Sequence, residues 1–141
     1  GRLLTSPTFN TPNGKARFQV HSLPVAREPD FPFTLASIRS EGQFNSIIYE
    51  ESDSYRGTEH RWCVLVGPED RERLNLKAGD KATLRSAHGV MENLTVYPFN
   101  LPASSLLAYY PEANTLIGTE QDPRSQTPAF KSVPVQLEAG A

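Results

Sequence analysis

The sequence predicts a small, mainly β protein folded as a closed or nearly closed barrel. Three observations carry that reading: six or seven short apolar or alternating runs, one convincing helical stretch, and 12 prolines with 9 glycines scattered between them. Prolines and glycines at that density interrupt helices and supply turns between short strands. Strands with so few helices to cover their edges are best closed on themselves, because closure leaves no edge unpaired. A doubly wound parallel sheet would need a helix after nearly every strand, and the sequence does not provide them.

Taken in order, the chain opens on an arm. Residues 5–24, "TSPTFNTPNGKARFQVHSLP", place turn residues at 11–14 ahead of "ARFQVHSL", whose apolar positions alternate, so a peripheral strand is expected there. "PVAREPDFP" follows as a linker with three prolines. Residues 1–32 are therefore read as arm and linker, lying across the main domain or a neighbouring one, and residues 33–141 as the barrel. A length of 141 residues suits one domain with a core of its own.

In "FPFTLASIRS" the residues Phe33, Leu35 and Ser37 alternate with Thr34, Ala36 and Ile38, the period of a strand with two unlike faces; Arg39 and Ser40 sit where it stops. Residues 41–61 are long for a connection without structure, which marks either a functional loop or a cover for the core. "WCVLV" reads as a short buried strand. "GPEDRERLNL" then reads as a helix, with Pro68 suited to its first position and acids in its first turn. A turn at 78–80, a strand over 81–86, a turn at 87–89 and a strand over 90–96 form a hairpin with imperfect alternation. Leu106 to Tyr109 make a strand that Pro111 terminates. Val133, Val135 and Leu137 mark one face of the last strand.

Charge and cysteine content narrow the functions. Fourteen basic and sixteen acidic side chains give a net charge of -2, with no Lys/Arg block able to follow a phosphate backbone, so nucleic acid is not the expected partner. A few arginines would still suffice for a compact anion. Cys63, the only cysteine, excludes an intrachain disulfide and a cysteine cluster for zinc or iron–sulfur; its flanks suit a buried strand position, a reactive thiol being the alternative. His21, His60 and His88 lack ligand-like spacing, and the acids of "EDRER" alternate with arginines as on a solvated helix face. No Ser/His/Asp arrangement stands out. No run is long enough to span a bilayer, and "GRLLTSPTFN" lacks a signal-peptide core, so a cytoplasmic location is expected. The first residue is not Met, which suggests a fragment or a processed chain.

Three stretches together carry a family likeness: "ASIRSEGQFNSIIYEESDSYRG", "VLVGPEDRERLNLKAGDKATLRSAHG" and "LLAYYPEANTLIGTEQDPRSQTPAFKSVPVQLE". They resemble the C-terminal molybdopterin-dinucleotide-binding domain of molybdenum oxidoreductases, in particular the formate-dehydrogenase-like branch, from Phe33 to Glu138. The recurrent "D-x-x-x-L-x-L-x-x-G-D-x-V" box is present as "EDRERLNLKAGDKATL", with Ala82 in the usual valine position. Cradle-like barrels of transcription factors share a Gly-Asp turn, so a freestanding interaction or regulatory module is the alternative; the "YYPEAN" and "PAFKS" loops distinguish the two.

The resemblance implies a six-stranded double-psi β-barrel with one or two short helices. It also implies a bis-molybdopterin guanine dinucleotide cofactor carrying molybdenum and shared with other domains. The implied partner is the remainder of the parent oxidoreductase, where the metal ligand and any iron–sulfur cluster would reside; the domain would not be catalytic alone. Cofactor contacts fall on Arg39, Ser40, Gln43, Asn45, Ser46, Glu112, Asn114, Phe130 and Lys131. Arg39 would clamp a phosphate or pterin carbonyl, or else pair with an acid of the next loop. Gln43 and Asn45 suit amide readout, and Glu112 could accept from ribose or guanine. Asn114 matches a family asparagine near the ligand, although an Asn after a Pro-ended strand also caps its own turn. Phe130 and Lys131 lie on the loop expected to approach the pterin, the lysine otherwise being simply solvated. Tyr109 and Tyr110 are expected to divide between barrel packing and loop support, and Gly79 and Asp80 to serve the turn.

Overall fold

The computed structural model describes residues 8–23, 31–44 and 50–140. Six strands close into a barrel: β1 (Phe33–Ile38), β2 (Cys63–Val66), β3 (Lys81–Arg85), β4 (Val90–Pro98), β5 (Ser105–Tyr109) and β6 (Val133–Ala139), in the spatial order β1-β5-β2-β4-β3-β6. The helix α1 (Pro68–Arg73) follows β2, and a 3-10 helix, Glu112–Leu116, follows β5. β1 with β5 and β2 with β4 are parallel, and the other four pairings are antiparallel. This mixed closure is compatible with the double-psi arrangement.

The sequence patterns explain the burial. Along β1 the residues Phe33, Leu35 and Ser37 point inward while their neighbours stay half-exposed, as alternation predicts. β2 is buried on both faces. Val64 and Val66 enter the main core with Leu35, Leu84, Leu94, Leu106 and Val135, whereas Cys63 and Leu65 pack outside the barrel with Tyr109, under Tyr97, Phe99 and Leu101. A strand covered on both sides reads as a continuous apolar run, which is why "CVLV" shows no alternation, whereas Trp62 lies before the strand and is 43% exposed. Each fully buried Leu or Val contributes roughly 1.5–3 kcal/mol of transfer free energy.

Burial pushes the Cys63 thiol up to about 12. The thiolate is the reacting form, so the native chain should resist iodoacetamide at mildly alkaline pH and react only on unfolding. Rapid native-state alkylation, followed by mass spectrometry, would contradict this packing.

Local chemistry sets the corners. Pro68 occupies the start of α1, whose Asp70 is 1% exposed and accepts from Ser104 N at 2.7 Å and from Arg73 Nη2 at 2.8 Å. That carboxylate ties the helix to the entry of β5. The Gly-Asp turn works as expected: Gly79 has φ 88, a conformation that favours glycine, and the Asp80 carboxylate accepts from Lys77 N at 2.7 Å. Gly79 N then donates to Val96 O, and Val96 N to Asp80 O, so the turn is hydrogen-bonded to β4. The imperfect alternation of the hairpin has its cause in a register shift between Ala82 and Leu84 and in Asn93, whose φ is 58; such irregularities bend a strand and help it close.

The peripheral strand expected over residues 16–23 does not form. That segment is exposed and unpaired among the described residues, with Phe18, Val20 and Leu23 at 97%, 99% and 90% exposure. Alternation shows that a strand suits the segment, but a strand needs a neighbour to pair with.

Candidate functional site

Strand direction gathers the candidate loops at one end of the barrel. β1 and β5 run parallel and finish there; β6 runs against β1 and starts there. β3 runs against β6, so its hairpin turn with β4 also lies at that end. The residues following Ile38, those following Tyr109, and those preceding Val133 therefore share one rim. The helix α1 and the 98–104 connection occupy the other.

At this rim an open cavity of about 670 Å³ is lined by Ser37, Ile38, Arg39, Arg56, Tyr110, Phe130 and Lys131. The guanidinium of Arg39 lies 5.8 Å from the centre of the Tyr110 ring. Arg56 Nη1 donates to Arg39 O at 3.1 Å and to Asp53 Oδ2 at 2.6 Å. Lys131 Nζ donates to Ser37 O, and Ser37 N donates to Phe130 O at 2.9 Å. Three cationic side chains and two partly exposed rings thus face one cleft in a chain of net charge -2. Cations in a cleft concentrate an anionic ligand, and flat rings stack.

Behind this wall lies Arg61, 3% exposed. It donates from Nη1 to Ser40 Oγ at 2.7 Å, from Nε to Glu112 Oε1 at 2.8 Å, from Nη2 to Glu112 Oε2 at 3.0 Å, and also to Tyr110 O. Its guanidinium sits 5.1 Å from the Tyr109 ring centre. Gln43 completes the group, with Oε1 accepting from Ser40 N at 3.2 Å and Nε2 donating to Tyr110 O at 3.1 Å. A single buried fork therefore ties the start of the 41–61 loop to the β5 corner.

A second buried group holds the same loop. The Tyr109 hydroxyl donates to Asp53 Oδ2 at 2.9 Å and lies 2.9 Å from Thr58 Oγ1. Burial alone would raise the pKa of Asp53, but the bonds from Arg56 and Tyr109, the Arg56 charge and the bond from Tyr55 N outweigh it and hold the carboxyl below its usual 3.8. Burial, reinforced by the Asp53 bond and charge against the opposing Thr58 bond, raises Tyr109 to about 12. Asp53 stays ionised and Tyr109 neutral at physiological pH, as a donor–acceptor pair requires.

The rim brings together most of the residues singled out in the sequence, in two layers. Arg39, Phe130 and Lys131 line the cavity. Ser40, Gln43 and Glu112 stand behind it and engage Arg61. Asn114 lies on the 3-10 helix at the same end, exposed, with its backbone N–H on Pro111 O at 2.9 Å. Asn45 and Ser46 fall outside the described residues. Tyr109 is fully buried and Tyr110 is 38% exposed, the division expected between core and loop. Sequence reasoning missed Arg56 and Arg61. Arg61 carried one usable signal: a lone arginine abutting an uninterrupted apolar strand must either be exposed or find several acceptors.

Among the described residues no group of three or more His, Cys, Asp or Glu side chains is placed to hold a metal ion, and no helix is long and apolar enough to cross a membrane. The fold is thus a closed mixed barrel whose loop rim sets cations and ring faces around an open cleft. Comparison of sequences gives the family. The chain belongs to the Molydopterin dinucleotide binding domain family, whose model matches residues 33–134. An uncharacterized oxidoreductase of Mycobacterium tuberculosis is 35% identical over 144 residues, covering 94% of this chain and 18% of that protein. Protein YdeP of Escherichia coli is 31% identical over 141 residues, covering 91% of this chain and 18% of YdeP. The chain thus spans about 18% of the length of the curated relatives it matches. Acetylene hydratase from Pelobacter acetylenicus shares the fold, with a TM-score of 0.55 at 14% identity, over 77% of this chain and 18% of that one.

Proposed function

We propose that residues 33–141 form the cofactor-capping domain of a larger molybdenum oxidoreductase of the formate-dehydrogenase-like kind, binding molybdopterin guanine dinucleotide at the loop rim. The observation that carries this reading is the convergence of Arg39, Arg56 and Lys131 with Tyr110 and Phe130 on one cleft. These residues suit the group chemically. A pyrophosphate needs forked or point cations, which Arg39, Arg56 and Lys131 supply; pterin or guanine faces need flat partners, which Tyr110 and Phe130 offer. Asn114 extends the rim with an amide for ring edges or ribose hydroxyls, and Glu112, with both oxygens on Arg61, supports the rim from behind.

When bound, the metal carried by the cofactor would supply the redox chemistry. This chain's residues would bind the dinucleotide, fix its direction and cover it from solvent. The relatives named as oxidoreductases support the class, and the small share of their length that the chain spans supports a role as one domain among several.

Calorimetry with guanosine 5′-diphosphate as the pyrophosphate-bearing probe tests the site. Weak binding is expected, because other domains would contribute the rest of the contacts. Arg39→Gln and Lys131→Met should each weaken it by roughly 10-fold, the loss of one charge-assisted hydrogen bond to phosphate. Equal affinity in both variants and the parent sequence would remove this site from consideration.

A further inference from the structure

The arm combines the pattern of a strand with the surroundings of a free segment. Residues 16–23 put Ala16, Phe18 and Val20 on one face and Arg17, Gln19 and His21 on the other, the mark of a strand half-buried in a sheet. Yet Phe18 is 97% and Val20 99% exposed, and no strand pairs with the segment among the described residues. The turn that launches it is firmly made. Thr11 Oγ1 donates to Lys15 O at 2.7 Å, Lys15 N donates to Asn13 Oδ1 at 3.1 Å, Gly14 N donates to Thr11 O at 3.0 Å, and Gly14 takes φ 65. A built turn therefore leads into a segment that is unpaired among the described residues and carries the two-faced pattern of a strand.

The comparisons bear on where a pairing partner lies. The family model begins at residue 33, but the likeness to the mycobacterial oxidoreductase covers 94% of the chain, so it takes in most of the arm. The arm therefore travels with the long oxidoreductases and not with the barrel alone, and about 82% of those relatives lies beyond the matched region.

We propose that residues 16–23 add as an edge strand to a sheet in the rest of the parent polypeptide, with Phe18 and Val20 entering an apolar pocket row on that partner. The inference rests on the reading of this chain as one domain of a larger oxidoreductase. Backbone pairing would give the affinity and the alternating side chains the register. The arm would anchor the barrel to its neighbour independently of the cofactor rim, because its side chains do not line the rim cavity.

Hydrogen exchange of the peptide spanning 16–23, measured in the 141-residue chain and in the full-length polypeptide, tests this. Exchange at the unprotected rate is expected in the short chain, and slowing by at least ~100-fold at alternate amides in the full-length one. The double variant Phe18→Asp/Val20→Asp should restore fast exchange in the full-length polypeptide while leaving the thermal unfolding of the short chain unchanged. Fast exchange in the unmodified full-length polypeptide would overturn the proposal. So would concentration-dependent protection in the short chain, which would assign the segment to a second copy. Cofactor released from the same full-length sample is scored separately: a protected arm without cofactor counts against the cofactor reading alone, and a retained cofactor with an unprotected arm against the docking alone.

Discussion

Arg61→Met should destabilise the chain by about 3–5 kcal/mol, the range for removing one partner of a buried ion pair. The side chains of Arg61 and Glu112 are 3% and 20% exposed, so the abandoned carboxylate regains only part of its hydration. Ser40 Oγ and Tyr110 O lose the same donor. Denaturant unfolding of the purified chain reads the loss. Glu112→Gln should cost less, because an amide oxygen can still accept from Arg61, and the double variant should fall well short of the sum, since both changes act on the same contact. A loss below about 1 kcal/mol for Arg61→Met, the value of an exposed pair, would mean that the network does not hold the loop. Binding of the guanosine diphosphate probe should weaken as well, because Arg61 fixes the backbone of Tyr110, whose ring faces the cavity.

The second large effect belongs to Asp53, whose side chain is 1% exposed and which holds Arg56, Tyr109 and Tyr55 N. Asp53→Asn should lower stability by about 2–3 kcal/mol at neutral pH, the scale of hydrogen bonds to a charged group. The folded-state pKa is depressed below 3.8, so the stabilisation is present above the unfolded value. It is lost as pH falls from there through the folded pKa. The advantage of the unmodified chain over the variant should therefore be constant from neutral pH down to about pH 5 and shrink only in more acid solution. An advantage that fades between neutrality and about pH 5 would mean that another group carries the effect. The same variant loosens Arg56, which lines the cleft, so probe affinity should decline together with stability.

Much of the barrel was legible because strand signals are local. Alternation in "FTLASI", the continuous run in "CVLV" and the Pro68 start of α1 each reflect the burial or backbone geometry of a few consecutive residues. The arm shows where local reading stops: the period of "ARFQVHSL" is that of a strand, but pairing depends on a second segment that residues 16–23 do not specify. Ser40, Gln43 and Glu112 show the same limit. Their donors and acceptors suit a ligand, yet in the fold they meet Arg61, which is 21, 18 and 51 residues away in the chain.

The sequence by itself determined the barrel strands and α1, the family likeness and the set of loops rich in polar groups, because residue type and spacing control each of these over short stretches. The tertiary structure alone decided which of those groups face the cleft and which stand behind it. Two parallel pairings bring strand ends distant in sequence to one rim, and there a buried guanidinium must find acceptors wherever the closed barrel places them. That requirement turns Ser40, Gln43 and Glu112 toward Arg61 and leaves Arg39, Arg56 and Lys131 around the opening.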